Sequence, residues 1–341
     1  MMPARPVITL LLALILSGCF TDPKLPASGV EIRWEAEAAK EIEPLRASFQ
    51  VVSLAGPLLD VAALAWLPNG TDATSTVLLV HGSAGVKEKF GALPVPGYSV
   101  GSALAATGRA AFAIDRPWYG ETGGNGLVGM DMGEQAFVAK QVADQLRSGA
   151  YTMDGGAKAY DDVVGLGQSH GSLVVQLAQG LYAAFDGIVA ASWPHGGFSP
   201  EYVRCDPQPG EAGCPTAENF TFWTSASDPV VVAAIAALGE PVPPHDEALV
   251  WANCGQMADP TLDCVARLDD VTRTITGPVL VLLGERDFYY RTDRFAEEGD
   301  SFPNAVVQVE VIPETGHSVF HHTNRNEVNG LATNWLAINN W

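Results

Sequence analysis

From Gly29 onward the apolar positions fall into two alternating kinds of run. Short apolar stretches read as strands at Thr76–Val80, Ala110–Ile114, Asp162–Gly167, Gly187–Trp193, Pro278–Leu283 and Ala305–Ile312, with those at Thr76–Val80, Asp162–Gly167 and Pro278–Leu283 buried. Between them lie longer runs with helical spacing. Phe137, Val138, Val142 and Leu146 mark one over Gly133–Arg147; Leu331, Trp335 and Leu336 mark another over Asn324–Ile338. Gly101–Thr107 and Ser172–Phe185 read as two more helices, and Ser48–Leu54 with Leu58–Leu67 as a hairpin about Gly56-Pro57. Strands and helices in alternation predict an α/β fold, a mostly parallel central sheet with helices on both faces.

The alternation stops between Trp193 and Pro278, where many prolines gather. Residues 198–273 are expected to form a cap inserted over one edge of the sheet, leaving 30–197 and 274–341 as the core. A set of long surface loops is the competing account of the same stretch. At the other end, Arg5 precedes the apolar run Val7–Leu16, and Ser17-Gly18-Cys19 follows. A basic residue, a short apolar run and small residues predict a secretory signal over residues 1–18. The run is too short to span a bilayer, which takes about 20 residues. Residues 19–29, with two prolines and few apolar side chains, read as a tether.

Composition narrows the function classes. The 341 residues carry 19 Lys+Arg against 39 Asp+Glu, a net charge of −20. Such acidity opposes binding to nucleic acid or docking on anionic lipid through a basic patch. With 47% hydrophobic residues the chain can bury a substantial core. Beyond Cys19 four cysteines remain, Cys205, Cys214, Cys254 and Cys264. An even number in an exported chain predicts disulfides, and the sequence-near pairing Cys205–Cys214 with Cys254–Cys264 is preferred. A zinc site is the rival, weakened by the lack of a Cys-x-x-Cys spacing.

The strongest chemical signal is Gly167-Gln168-Ser169-His170-Gly171, a Gly-x-Ser-x-Gly pentapeptide between a buried strand and a helix. A sharp turn there lifts a serine hydroxyl above the sheet, and the glycines make room for it. The helix N-terminus then faces developing negative charge. His81-Gly82-Ser83 follows an upstream strand; backbone N–H groups of Ser83 and His170 are the expected oxyanion donors. Asp287 closes a strand in Leu283-Gly284-Glu285-Arg286-Asp287, and His317 follows the last strand in Gly316-His317-Ser318. Those positions suit an orienting acid and a general base for Ser169. His321 and His322 compete for the base role from the start of the last predicted helix, and Glu285 competes for the acid. His81 and Asp115 read as structural residues. Trp118, Tyr119 and His195 are candidate pocket residues, although aromatic side chains here could equally pack the cap onto the core.

With these residues in place the chain resembles the α/β-hydrolases from about Ser48 to its end, apart from the insertion. Asp115-Arg116-Pro117-Trp118-Tyr119-Gly120-Glu121-Thr122 is similar to a loop of that family, with Thr122 in place of serine. The resemblance implies Ser169 as nucleophile, Asp287 as acid and His317 as base, with no metal and no cofactor. It implies a serine hydrolase acting on small-molecule carboxylic esters through an acyl-enzyme. An amidase or peptidase on the same three residues, or an inactive ligand-binding lipoprotein, are the alternatives. Leu16-Ser17-Gly18-Cys19 also resembles a bacterial lipobox. That resemblance implies cleavage before Cys19, acylation of Cys19, and anchoring to the cell-envelope membrane. Phe20 in place of Asp points to the outer membrane. An ordinary signal peptide with an incidental cysteine is the alternative.

Overall fold

Consecutive residues of a strand face opposite sides of a sheet, so a strand covered on both sides needs apolar side chains at every position. The central strands follow that rule. Leu78 and Val80 join the core on one face while Val77 and Leu79 join the core on the other. Val279, Val281 and Leu283 alternate in the same way with Leu280 and Leu282. The computed structural model describes residues 41–53, 58–70, 72–83, 85–123, 132–205, 214, 226–238 and 263–341. The expected signal, lipobox and tether lie outside them.

Nine strands of the described residues form one sheet. They are β1 (Leu45–Val52), β2 (Leu58–Trp66), β3 (Ser75–Val80), β4 (Ala110–Ile114), β5 (Thr152–Met153), β6 (Asp162–Gln168), β7 (Gly187–Ala191), β8 (Pro278–Gly284) and β9 (Val306–Ile312). Their spatial order is β5-β1-β2-β4-β3-β6-β7-β8-β9. Pairing is antiparallel from β5 through β1 and β2 to β4, and parallel from β4 through β3, β6, β7 and β8 to β9. The antiparallel β1–β2 pair matches the predicted hairpin.

On one face α2 (Met132–Ser148), α3 (His170–Tyr182) and α6 (Asp263–Thr272) cover the sheet through Val138, Val142, Val174, Ala178 and Leu268. On the other, α1 (Val100–Ala106) and α7 (Arg325–Ile338) do so through Leu104, Val328, Trp335 and Leu336. Thus the fold is an α/β-hydrolase fold. Between β7 and β8 the structure adds α4 (Pro200–Cys205) and α5 (Pro229–Leu238) before α6. Val231, Ala234 and Ile235 of α5 pack on Leu93 and Tyr98, in the loop that follows β3. The end of the stretch expected to form the cap contains a helix that packs on the core. This is α6, whose Val271 lies against Gly180 of α3 and whose Leu268 enters the main core. Leu268 is thus a core residue within the stretch 198–273.

Candidate active site

All the groups of the candidate site lie beyond the C-terminal ends of the parallel strands, where their loops converge. Ser169 follows β6 with φ 56° and ψ −126°. That backbone is unfavourable for a residue with a side chain by about 1–3 kcal/mol, so the surroundings must impose it. They do so by close approach. A Cβ at Gly171 would stand 1.9 Å from the Val80 carbonyl oxygen, and one at Gly167 would stand 2.2 Å from the Gly171 carbonyl oxygen. Helix α3 therefore begins at His170, two residues ahead of the predicted Ser172, and its N-terminus lies directly behind Ser169.

The His317 ring bridges two partners. Its Nε2 is 2.8 Å from Ser169 Oγ and its Nδ1 is 2.7 Å from Asp287 Oδ2. Asp287 is buried, and its other oxygen accepts the Tyr289 N–H at 2.9 Å. Those partners assign Nδ1 as the protonated ring nitrogen, which leaves Nε2 to accept from the serine hydroxyl. The Tyr289 ring stands edge-on to His317 with centroids 4.5 Å apart. Tyr290 lies beyond it, and burial beside Asp287 pushes its hydroxyl well above the ordinary tyrosine range, so it stays neutral.

The competing residues are placed elsewhere. Glu285 is exposed, and its carboxylate accepts the Glu314 N–H at 3.0 Å. His321 ends a 3-10 turn, Val319–His321, and His322 follows it; both precede α7 instead of opening it. The His321 Nε2–H donates to the Lys89 carbonyl at 3.0 Å, and His322 Nε2 accepts the Gly316 N–H at 3.2 Å. Burial pushes both rings down to about 4, so both are neutral at ordinary pH.

The upstream loop lies against the nucleophile: a Cβ at Gly82 would stand 2.8 Å from Ser169 Cβ. The Ser83 hydroxyl contacts His170 Nδ1, and the His170 ring packs on Trp193 at 5.0 Å. His81 holds this loop to the next one. Its Nε2 accepts the Arg116 N–H at 3.0 Å and its Nδ1 faces the Gly82 carbonyl at 2.7 Å. Asp115 is fully buried and grips Lys87 twice, through Nζ at 2.6 Å and through the backbone N–H at 2.8 Å. Burial pushes the Asp115 carboxyl up, against the opposing pull of Lys87. Gly120, at φ 50°, leaves room for that carboxylate, since a Cβ there would lie 2.2 Å from it.

The three candidate pocket residues take supporting places. Tyr119 is fully buried with its ring edge-on to His81 at 4.9 Å. His195 is buried and pairs with Glu298, Nδ1 to Oε1 at 2.5 Å, while its backbone N–H donates to Oε2 at 2.8 Å. The ring of this strand-end residue is thus held in a buried hydrogen bond to Glu298. Trp118, at φ 70°, is half-buried against the main core. Of the late cysteines, the side chains of Cys205, Cys254 and Cys264 lie outside the described residues, so their pairing stays an expectation. Sequence reasoning missed Ser192, whose hydroxyl donates to the His317 carbonyl. No spacing or motif marks a serine at that strand end.

A strand-borne serine on a strained turn, with a histidine and a buried carboxylate in line behind it, on this sheet order, defines an α/β-hydrolase. The model of the alpha/beta hydrolase family matches residues 77–330, and the chain belongs to that family. Among solved structures it is similar to a thermophilic esterase from Thermogutta terrifontis, at 18% identity and a TM-score of 0.57, covering 85% of this chain and 98% of that one. It is likewise similar to carboxylesterase CesB from Bacillus subtilis, at 18% identity and a TM-score of 0.57, covering 86% and 92%. Est1E from Butyrivibrio proteoclasticus, solved with ferulic acid, aligns at 15% identity and a TM-score of 0.53, covering 85% and 98%. Among curated proteins none matches the chain by sequence.

Proposed function

We propose that this protein is a serine hydrolase that cleaves small-molecule carboxylic esters through an acyl-enzyme. The observation that carries the proposal is the line of hydrogen bonds from Ser169 through His317 to Asp287, at 2.8 and 2.7 Å. In this reading Ser169 Oγ attacks the ester carbonyl carbon while His317 Nε2 takes its proton. Asp287 holds the ring in the required tautomer and stabilises the imidazolium that forms. The negative oxygen of the tetrahedral intermediate is received by the backbone N–H groups of His170 and Ser83, aided by the N-terminus of α3. His317 then gives its proton to the leaving alcohol, and water repeats the sequence on the acyl-enzyme. Two of the similar structures, an esterase and a carboxylesterase, are in keeping with ester substrates.

Hydrolysis of 4-nitrophenyl esters from acetyl to palmitoyl tests this reading, with the Ser169→Ala protein beside the parent. The expected result is turnover that the substitution removes, leaving the fold intact. No serine-dependent turnover at any chain length would overturn the ester reading. Serine-dependent cleavage of anilides alone would move the assignment to amide substrates. The motif Leu16-Ser17-Gly18-Cys19 supports a second element of the proposal, that the mature protein is held in the bacterial envelope by lipid on Cys19. Partition of the full chain into a detergent phase, lost on Cys19→Ala, is the expected outcome; equal partition of both would refute it.

A further inference from the structure

Strand β7 lies between β6, which delivers Ser169, and β8, which leads to Asp287. Its C-terminal end continues both ladders. The Ala191 carbonyl accepts the Ser169 N–H at 2.8 Å, and the Ser192 N–H donates to the Leu282 carbonyl at 2.9 Å. Ser192 is fully buried and has φ 57°. From there its hydroxyl donates to the carbonyl of His317 at 2.5 Å. Adjacent residues at one strand end therefore hold the backbone of the serine and the backbone of the histidine.

We propose that Ser192 is a positioning residue that sets the separation between Ser169 and His317. This rests on the reading of Ser169 as nucleophile and His317 as base. The positive φ supports it. A glycine would meet the backbone requirement at this position without strain, so what the serine adds is its hydroxyl. The loop carrying His317 is held elsewhere by the Gly316 N–H on His322 and by the Thr315 carbonyl, which accepts the Arg286 N–H at 2.8 Å. Ser192 acts on the carbonyl of His317 itself, the backbone group from which the imidazole is aimed.

Ser192→Gly is the informative variant, because it removes the hydroxyl and relieves the backbone; Ser192→Ala removes the hydroxyl and keeps the strain. For 4-nitrophenyl acetate the expected result in Ser192→Gly is kcat lower by about tenfold or more, with KM changed by less than about twofold and melting temperature retained. A kcat within about twofold of the parent would overturn the proposal. A second readout does not need turnover. The downfield proton resonance of His317 Nδ1–H on Asp287, assigned by its loss in His317→Gln, is expected to shift or broaden in Ser192→Gly. An unchanged resonance overturns the positioning role even where the parent hydrolyses no ester. Absence of Ser169-dependent turnover in the parent counts against the proposed function alone.

Discussion

Asp287 and Glu285 stand two residues apart on one loop and have opposite fates. The Asp287 side chain is buried against His317, whereas the Glu285 carboxylate, on the solvent side, caps a backbone N–H. Replacing Asp287 by Asn is expected to lower kcat by about 10³–10⁴, because the ring loses its anionic partner and its preferred tautomer. Glu285→Gln is expected to change kcat by less than about twofold, since its loss touches only an exposed turn. Steady-state kinetics on the two variants separates them, and a reversed order would move the acid role to Glu285. Residues announced by a motif or a strand end were legible in the sequence: Ser169 by its glycines, Asp287 and His317 by the strands they follow. Ser192 and Glu298 were not, because each acts through one or two hydrogen bonds to residues distant along the chain, which leave no periodic trace. Type and strand-end position brought Tyr119 and His195 forward, but sequence does not say which way a ring turns, and both turn inward.

At the scale of elements, the turn from β6 into α3 leaves the least room for change. Gly171→Ala would drive a methyl group into the Val80 carbonyl, with backbone on both sides of the contact. The expected loss is about 3 kcal/mol of unfolding free energy, at the upper end of overpacking effects. Gly330→Ala in α7 is the natural control, for a Cβ there meets open space, and a gain of about 0.5–1 kcal/mol is expected from helix propensity. Urea midpoints of the two proteins should move in opposite directions. Strands buried on both faces lay within a residue or two of their predicted bounds, since an unbroken apolar run has a visible beginning and end. Helix α5 was not visible. Its sequence Pro-Val-Val-Val-Ala-Ala-Ile-Ala-Ala-Leu is apolar throughout, so it carries no helical period, and only contact with Leu93 and Tyr98 selects its inner face. The two-residue β5 is too short to be signalled by any pattern.

For the whole molecule, the acidic composition and the buried histidines bear on the same variable. His321 and His322 titrate near 4 in the folded chain, against about 6.5 in an unfolded one. Between those values the unfolded chain binds more protons, so stability is intact above about 6.5 and falls as the pH drops toward 4. The expected loss is on the order of 2 kcal/mol per ring by about pH 4.5. Denaturant midpoints measured at steps from pH 7 to 4.5 should fall over that window, and less steeply in His321→Gln; a flat profile in the parent would contradict both assignments. The α/β fold was legible because it follows from the order of strands and helices. The path of the chain between β7 and β8 was not, because its packing depends on contacts distant along the chain. That path also governs how the molecule is made. Ala191 and Leu282 are partners in adjacent strands, yet the whole stretch from Ser192 to Val281 separates them. Parallel pairing across so long a detour belongs to the slow class of folding events, although the entropy of closing the loop grows only slowly with its length. Ser169 lies on one side of that seam, and Asp287 and His317 on the other. A refolding chain can thus regain seven of the sheet's nine strands while still lacking the hydrogen bond between Ser169 and His317, and recovery of that bond times the closing of the seam.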